Sequence, residues 1–494
     1  MWSVLFQHIK KHSRIYLLDV GGLYLETKKQ EIDLNLILAF PIVFILGVIP
    51  LVVHFKILPL PEAVKVVWGE KDIDMFSYYK SMMILGSTLM LLIGLIIKTL
   101  QDKRIKIPAC FYPMFVYLIF VILSAVFSSY GFISMWGVPS RYEGVLVLVS
   151  YVVIMVATAN IVVEEKQIKL LLGALFISAG LIGIIGVFQY FGLDFFRSEF
   201  AKCVILPSNL RNMNIQFNFG KNIIYSTLFN PNNVGSYAAM LFPVSLCFYI
   251  FIRQKWPKVL LGVFSCLMFI VWIGCQSLMG NIGGCFALAL MVTLWGKKIV
   301  SRYRSLLIVI VAYVIIFFIM NFSSSGSLIH NAAKIKGLGS NDFVIDVKQE
   351  KISDLTIVTQ KSGLKISYDK GKLEFFDIDG KYLSYSSKVA NGKQDEEKLV
   401  IDDKAYYSYD IKMQNINNDN LRLCIDKSGV NFDLILTKMG IGFVDSRGYG
   451  NPQSKVEMID IKGKEAYGSG RFYIWSRSIP LIKKTLLIGN GPDT

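Results

Sequence analysis

The sequence predicts a polytopic all-α membrane protein of about nine spans with an inserted exterior β-rich domain. Three observations lead to this prediction. Of the 494 residues, 53% are hydrophobic and 18% are charged, whereas soluble domains carry about 25% charged residues. The apolar residues are gathered into stretches of about 20, the length of a membrane-spanning helix. A segment rich in strand and turn signals follows the last of these stretches.

Nine apolar stretches qualify as spans and form a predicted transmembrane domain, 34–322. Before them lies a cytoplasmic N-terminal segment, 1–33, which carries five Lys and Arg and no hydrophobic signal-peptide core. We therefore expect the first span to direct insertion itself. The predicted spans cover approximately 34–55, 81–97, 109–127, 144–163, 170–191, 234–252, 259–275, 281–296 and 305–322.

Lys and Arg are unevenly divided between the segments that connect the spans. With the N-terminus in the cytoplasm, the cytoplasmic segments carry 18 Lys and Arg in 62 residues and the exterior ones carry 9 in 90. This is the bias expected of a membrane protein, and nine spans then place the chain after residue 322 outside. The net charge of +16 accordingly predicts contact with membrane lipid and not with nucleic acid.

Residues 323–467 are predicted to form the extracytoplasmic β-rich domain. Asp379 and Gly380 make a pair that strongly favours a hairpin turn, and the polar run 393–398 is predicted to be a loop. The predicted strands are 355–359, 364–368, 373–378, 381–385 and 431–437.

The last segment, 468–494, is predicted to contain an amphipathic helix over 471–487. Apolar side chains recur there at helical spacing, with basic residues on the other faces. Pro480 lies inside the helix and predicts a kink. We expect the helix to lie in the outer membrane interface; packing on the β-rich domain is the alternative.

Three polar clusters stand out in the predicted exterior segments, where polar residues near spans are informative. In the first, Arg141 is the only cation of the loop before the fourth span. A guanidinium can hold a phosphate through two parallel hydrogen bonds. The alternative is a surface arginine paired with Glu143.

The second cluster, Asn230, Pro231 and Asn232, opens the sixth span. Proline at a helix start beside Asn predicts an N-terminal cap. The free N–H groups of such a helix start can bind an anion, and a plain cap is the other interpretation.

The third cluster comprises 468–477 and 489–494. Glycines flank Arg471 and several aromatic residues, a combination that can stack on sugar rings and clamp phosphate. The chain has four His and no Cys/His cluster, so we expect no metal and no cofactor.

The third cluster makes the sequence resemble the O-antigen ligase/polymerase family. The stretch 468–475, followed by 479–482 and 487–494, is similar to the hallmark stretch of that family. The loop 141–144 and the run 230–232 are similar to its other landmarks.

The resemblance implies a GT-C-type glycosyltransferase of the bacterial cytoplasmic membrane that assembles lipopolysaccharide or another surface polysaccharide of the cell envelope. Such proteins move a glycan from a polyprenyl-diphosphate carrier to a sugar or lipid acceptor on the outer face, without a metal. The diphosphate needs fixed cations, a role implied for Arg141 and Arg471. Further candidate cations are Arg211 and Lys221. The residues expected to shape the site are Glu143, Asn230, Asn232, Tyr473 and Trp475.

The sequence departs from the family at two points. Leu278 stands where members commonly carry the Arg of a Ser-Arg-Gly element. The family's catalytic His belongs to a later segment, whereas the last histidine here is His330. We therefore expect a C-terminally truncated form, with the catalytic residue unassigned and the activity of the 494-residue form open.

Two other functions stay open at this point. One is a transporter of lipid-linked glycans, although the repeats and mid-span charges typical of transporters are not seen. The other is an inactive relative that binds glycan. A ligase and a polymerase use the same donor and differ in the acceptor. The sequence therefore predicts a transferase of this class but does not distinguish a ligase from a polymerase.

Overall fold

The structure is a computed structural model that combines a bundle of apolar helices with a β-rich domain. The predicted N-terminal segment 1–33, Lys221 and residues 468–470 lie outside the residues that it describes. The described residues are 34–62, 65, 70–211, 222–329, 344–359, 362–369, 371–389, 396–417, 420–427, 430–444, 450–451, 457–459, 461, 471–486 and 488–493.

Seven helices among the described residues are long and apolar enough to cross a membrane, and each matches a predicted span. The first and fourth predicted spans also form apolar helices, but Asn35–Leu51 and Val145–Ile161 are shorter. The count of nine spans therefore stays a prediction. The helices are α1 (Leu34–Gly47), α2 (Tyr78–Asp102), α3 (Tyr112–Val126), α4 (Gly131–Trp136), α5 (Val145–Ile161), α6 (Glu165–Tyr190), α7 (Glu199–Ile205), α8 (Pro231–Phe251), α9 (Lys255–Gly274), α10 (Leu278–Val300), α11 (Tyr303–Ser323) and α12 (Arg471–Thr485).

Small residues allow α8, α9 and α10 to pack closely. A Cβ added to Gly235 would lie 2.6 Å from the Cβ of Ser277. The indole of Trp272 covers Gly284, where an added Cβ would lie 2.4 Å from Cε2. The indole Nε1 donates a hydrogen bond of 2.9 Å to the carbonyl oxygen of Gly280. Interfaces built on small residues are typical of helices that pack within a bilayer.

One end of the bundle, named here the loop-rich end, carries 70–77, 127–144, 222–230 and 275–277. Several contacts join these connections. The rings of Tyr78 and Tyr142 lie 5.5 Å apart between centroids, and Gln276 Nε2 donates to the carbonyl oxygen of Asn222 at 3.0 Å. The first two polar clusters therefore lie at the same end of the bundle.

The opposite end carries the basic connections. Lys98 Nζ donates to Asn35 Oδ1 at 3.2 Å, and Asn35 Nδ2 donates to Glu164 Oε1 at 3.2 Å. Lys258 Nζ donates to Ser305 Oγ at 2.6 Å. The bundle thus separates the basic segments from the polar clusters.

The β-rich domain consists of two antiparallel sheets that pack around one shared core. The five-stranded sheet has the order β3-β4-β5-β6-β7, and the seven-stranded sheet has the order β14-β13-β12-β11-β10-β9-β8. A separate hairpin, β1 (Lys56–Pro59) with β2 (Lys71–Asp74), lies between α1 and α2. The other strands are β3 (Val344–Lys351), β4 (Asp354–Thr359), β5 (Gly363–Asp369), β6 (Lys372–Asp377), β7 (Tyr382–Leu383), β8 (Tyr385–Val389), β9 (Glu396–Ile401), β10 (Tyr409–Asn417), β11 (Asn420–Lys427), β12 (Val430–Thr437), β13 (Gly440–Val444) and β14 (Gly450–Asn451).

The predicted strands 355–359, 364–368, 373–378 and 431–437 are confirmed, and so is the hairpin turn between β6 and β7. The predicted strand 381–385 is divided between β7 and β8, which belong to different sheets. Gly380 has a φ of 86°, and Asp377 Oδ1 accepts from the backbone N–H of Lys381 at 2.7 Å. The predicted loop 393–398 is wrong in its second half, because β9 begins at Glu396. Its charged residues lead directly into a strand whose apolar side chains, such as Leu399, are buried.

Candidate functional site

The loop before α5 is a compact turn that fixes Arg141. The backbone N–H groups of Arg141 and Tyr142 donate to the carbonyl oxygen of Val138 at 3.1 and 3.0 Å. Gly137 has a φ of 87°, and a Cβ there would lie 2.3 Å from the backbone nitrogen of Glu143. Only glycine fits at this position, so the loop conformation is closely defined.

Asp72, at the start of the second strand of the β1–β2 hairpin, anchors this turn from the other side. Its Oδ2 accepts from the backbone N–H of Ser140 at 3.2 Å and from the phenol of Tyr142. Burial, reinforced by the hydrogen bond to Asp72, raises the pKa of Tyr142 well above its usual value. The phenol therefore stays protonated at neutral pH and acts as a donor. The sequence did not single out Asp72.

The segment that follows α12, residues 488–493, lies against three serines named here the serine notch, Ser124, Ser128 and Ser134. The backbone N–H of Gly491 donates to Ser124 Oγ at 2.6 Å. Gly491 has a φ of 102°, and a Cβ there would lie 2.0 Å from Ser134 Oγ. A glycine is therefore required at position 491 for this segment to pack against the serines of α3 and α4.

Arg141 and Asp493 form an ion pair that joins the first and third clusters. Arg141 Nη1 lies 3.0 Å from Asp493 Oδ1, and the Arg141 side chain is 62% exposed whereas that of Asp493 is 9% exposed. Asp493 Oδ2 accepts from the backbone N–H of Val138, 355 positions away, at 3.1 Å. Glu143 is the weaker partner of Arg141, with an N···O distance of 3.9 Å. The predicted pairing with Glu143 is present, but the closer partner is one that the sequence did not reveal.

The second cluster forms the predicted N-terminal cap, which is confirmed. Asn230 Oδ1 accepts from the backbone N–H of Asn232 at 2.9 Å, with Pro231 in the first helical turn. Asn232 Oδ1 in turn accepts from Ser277 Oγ at 2.8 Å, and Ser277 caps α10 by accepting from the N–H of Gly280. The side chains of this cluster thus join the starts of two helices.

The amphipathic helix predicted to begin at Arg471 is present as α12, with Pro480 inside it. Arg477 Nη2 donates to the carbonyl oxygen of Ile345 and to Asp346 Oδ1, both at 3.1 Å. The guanidinium lies over the ring of Tyr473, 3.6 Å from its centroid. This face of α12 therefore contacts β3 of the β-rich domain, and it engages one of the predicted site residues.

Arg471 and Trp475 are exposed on α12. Arg211 is also exposed, and its Nη2 donates to the carbonyl oxygen of Cys203 at 3.3 Å. None of the contacts found among the described residues joins Arg211 or Arg471 to Arg141. The structure thus brings together Arg141, Glu143 and the 488–493 segment, whereas Arg211 and Arg471 make no contact with that group among the described residues.

Comparisons with protein-family models, with curated proteins and with solved structures return no match.

Proposed function

We propose that this chain is an O-antigen ligase/polymerase-like membrane glycosyltransferase. It moves a glycan from a polyprenyl-diphosphate carrier to a sugar or lipid hydroxyl on the outer face of the bacterial cytoplasmic membrane. The observation that carries the proposal is the ion pair between Arg141 and Asp493. Two of the segments that resemble the family meet there, at one end of an apolar helical bundle.

The chemistry of the transfer matches an exposed, fixed cation. The bond between the anomeric carbon and the diphosphate oxygen breaks, and its electron pair stays with the diphosphate. The acceptor hydroxyl forms the new bond to that carbon and loses its proton to a base. Charge therefore develops on the diphosphate, where a preorganised guanidinium stabilises it. Arg141 supplies such a group, because Asp493 holds one of its nitrogens while most of the side chain is exposed.

The charge distribution of the bundle supports the proposed orientation. The basic connections that include Lys98 and Lys258 lie opposite the loop-rich end, and basic residues favour the cytoplasmic side. In this orientation the loop-rich end, with Arg141, faces outward, and so does the β-rich domain that follows α11.

Membrane lipid is a proposed partner of α12. The helix exposes mainly apolar side chains, whereas Ser476 and Arg477 on its opposite face contact the protein. Residue Gly491, just after the helix, is tied to Ser124 of α3, and α3 itself exposes apolar side chains along its length. The two apolar surfaces support a helix in the membrane interface. The exposed apolar side chains of α12 are Ile474, Trp475, Ile479, Leu481 and Ile482.

The experiment is a transfer assay in vesicles that contain the protein, expressed from its intact coding sequence, and lipid-linked glycan extracted from host membranes. We expect Arg141→Ala and Arg471→Ala each to lower transfer by about 100-fold, the loss typical of removing one preorganised donor. Arg253→Ala, an exposed cation at the basic end, is the matched control and retains transfer.

Retained transfer in both arginine variants would remove the diphosphate clamp from the mechanism. Movement of the glycan lipid across vesicles that hold no acceptor would instead identify a transporter. Glycan binding without transfer would identify an inactive, glycan-binding relative.

A further inference from the structure

The carboxylate of Asp493 is buried and contacts both the side chain and the backbone of the Arg141 loop. One oxygen lies 3.0 Å from Arg141 Nη1 and the other accepts from the backbone N–H of Val138. The carbonyl oxygen of Val138 in turn accepts from the N–H groups of Arg141 and Tyr142. A single carboxylate therefore fixes the base of the turn and the direction of the guanidinium.

The contact leaves most of the guanidinium unoccupied. Arginine has five N–H donors in a rigid fork, and Asp493 occupies the Nη1 edge. Glu143 lies 3.9 Å from Nη2, beyond a direct hydrogen bond. The side chain is 62% exposed, so the remaining donors are accessible to an anion from outside the protein.

The serine notch places Asp493. No side chain fits at position 491, because a Cβ added to Gly491 would lie 2.0 Å from Ser134 Oγ. The backbone N–H of Gly491 donates to Ser124 Oγ. Asp493 lies two residues further along the chain, so the same contacts restrict the position of its backbone. The backbone next to Asp493 is thus fixed by contacts that do not involve Arg141.

We infer that Asp493 is a positioning residue, which holds the Arg141 guanidinium in the orientation that receives the phosphate groups of the donor. The inference rests on the proposed function and adds a residue to it. An arginine that is already ordered loses less side-chain entropy when it binds an anion, and this favours affinity. The negative charge of Asp493 acts in the opposite direction, since it lowers the potential at the guanidinium.

The two effects have opposite signs, so substitution of Asp493 distinguishes them. The probe is inorganic diphosphate, and its affinity is measured by calorimetry for the 494-residue chain in lipid nanodiscs. Asp493→Asn removes the charge and the ion pair. Asp493→Glu keeps the charge and displaces the carboxylate by one methylene. Positioning predicts that both variants weaken affinity, by up to about tenfold for Asn, because the diphosphate must then order a flexible arginine side chain when it binds.

The control is Asp433→Asn, which removes a carboxylate from a comparable ion pair with Arg422 in the β-rich domain and leaves diphosphate affinity unchanged. A double variant tests that Asp493 acts through Arg141. In the Arg141→Ala background, Asp493→Asn is expected to change affinity less than twofold, because coupled residues are not additive. Thermal midpoints identify any variant that does not fold. If Asp493→Asn does not fold, the diphosphate affinity of Asp493→Glu is compared with that of the wild type instead.

Three results would overturn the inference in distinguishable ways. If Asp493→Asn binds diphosphate as tightly as the wild type or more tightly, the carboxylate competes with the anion and does not position Arg141. If Asp493→Asn weakens binding equally with and without Arg141, its role is structural. In both cases the proposed function survives, provided that Arg141→Ala loses affinity. If Arg141→Ala binds diphosphate as the wild type does, the clamp of the proposed function fails, and this inference fails with it.

Discussion

The ammonium group of Lys80 donates a hydrogen bond of 2.5 Å to the carbonyl oxygen of Thr227. This bond joins the first turn of α2 to the residues that precede α8. Thr227 is 2% exposed, and its hydroxyl donates to the carbonyl oxygen of Pro50 at 2.7 Å. The turn after α1, the first turn of α2 and the segment before α8 are therefore linked through one buried residue.

We predict that Lys80→Met destabilises the protein by about 1–3 kcal/mol. Methionine keeps the apolar part of the side chain, but the buried carbonyl of Thr227 loses its hydrogen-bond donor. The measurement is the thermal midpoint of the chain in lipid nanodiscs. Lys166→Met, an exposed lysine at the basic end, is the control and changes stability by less than about 0.5 kcal/mol. Equal midpoints for the two variants would show that the Lys80 bond contributes nothing.

Adjacent glycines of α10 are predicted to respond differently to alanine. A Cβ on Gly284 would lie 2.4 Å from the Trp272 ring, whereas a Cβ on Gly283 meets nothing within 4 Å. Gly284→Ala should destabilise by about 1–3 kcal/mol through overpacking. Gly283→Ala should be neutral or stabilising by up to about 1 kcal/mol, because alanine is the better helix former. Thermal midpoints of the pair test this, and destabilisation of both to the same extent would contradict the packing at Trp272.

A charge on the exposed face of α12 is predicted to release the helix from the membrane interface. Ile482 is 49% exposed, and burial of an aspartate at that depth is unfavourable. Ile482→Asp should therefore increase amide hydrogen exchange over Arg471–Thr485 in nanodiscs. Met439→Asp, an exposed apolar residue of the β-rich domain, is the control and leaves that exchange unchanged. Exchange over α12 that is equally fast with and without lipid would exclude the interfacial placement.

The β-rich domain is predicted to lose stability in acid through Asp433. Arg422 Nε donates to Asp433 Oδ1 at 2.8 Å, and this hydrogen bond lowers the pKa of Asp433 below its ordinary value of 3.8. A lowered pKa stabilises the folded state above the unfolded pKa, and the contribution is lost as the pH falls through the lowered value. Both side chains are more than a third exposed, so screening limits the effect to about 1 kcal/mol or less.

The measurement is hydrogen exchange of the β-rich domain in the intact chain across pH 2–7, corrected for the intrinsic rate. The wild type should be the more stable of the two at pH 7, and its advantage over Asp433→Asn should begin to decline near pH 4 and vanish once the pH is below the lowered pKa of Asp433. A difference that persists unchanged into acid would exclude the Arg422 bond as its cause.

Much of the fold follows from local sequence. Hydropathy is a property of each segment, so the apolar helices were predicted close to their observed positions. The turn at Gly380 was also predictable, because it depends on residues adjacent in the chain. Strand β9 was not predicted, because its first residues belong to the polar run 393–398, whose composition resembles that of a loop.

The candidate site was only partly predictable, because its contacts join distant segments. Arg141 was recognised as the only cation of its loop, yet Asp493 was not recognised as its partner. An aspartate in a Gly-Pro segment carries no local signal of where its carboxylate lies. Asp72 was missed for the same reason. Lys80 was counted among the charges of a loop, and only the structure shows that it bonds to Thr227.

The strand order of the β-rich domain has a consequence for how the chain is assembled. In both sheets every strand pairs with the strand that precedes or follows it in the sequence. Closing short loops has a small entropic cost, and local pairing is associated with fast folding. Each sheet can therefore grow one hairpin at a time as the polypeptide is synthesised. Helix α12 and the segment that carries Asp493 emerge after both sheets, and they dock onto parts of the chain that have already been synthesised.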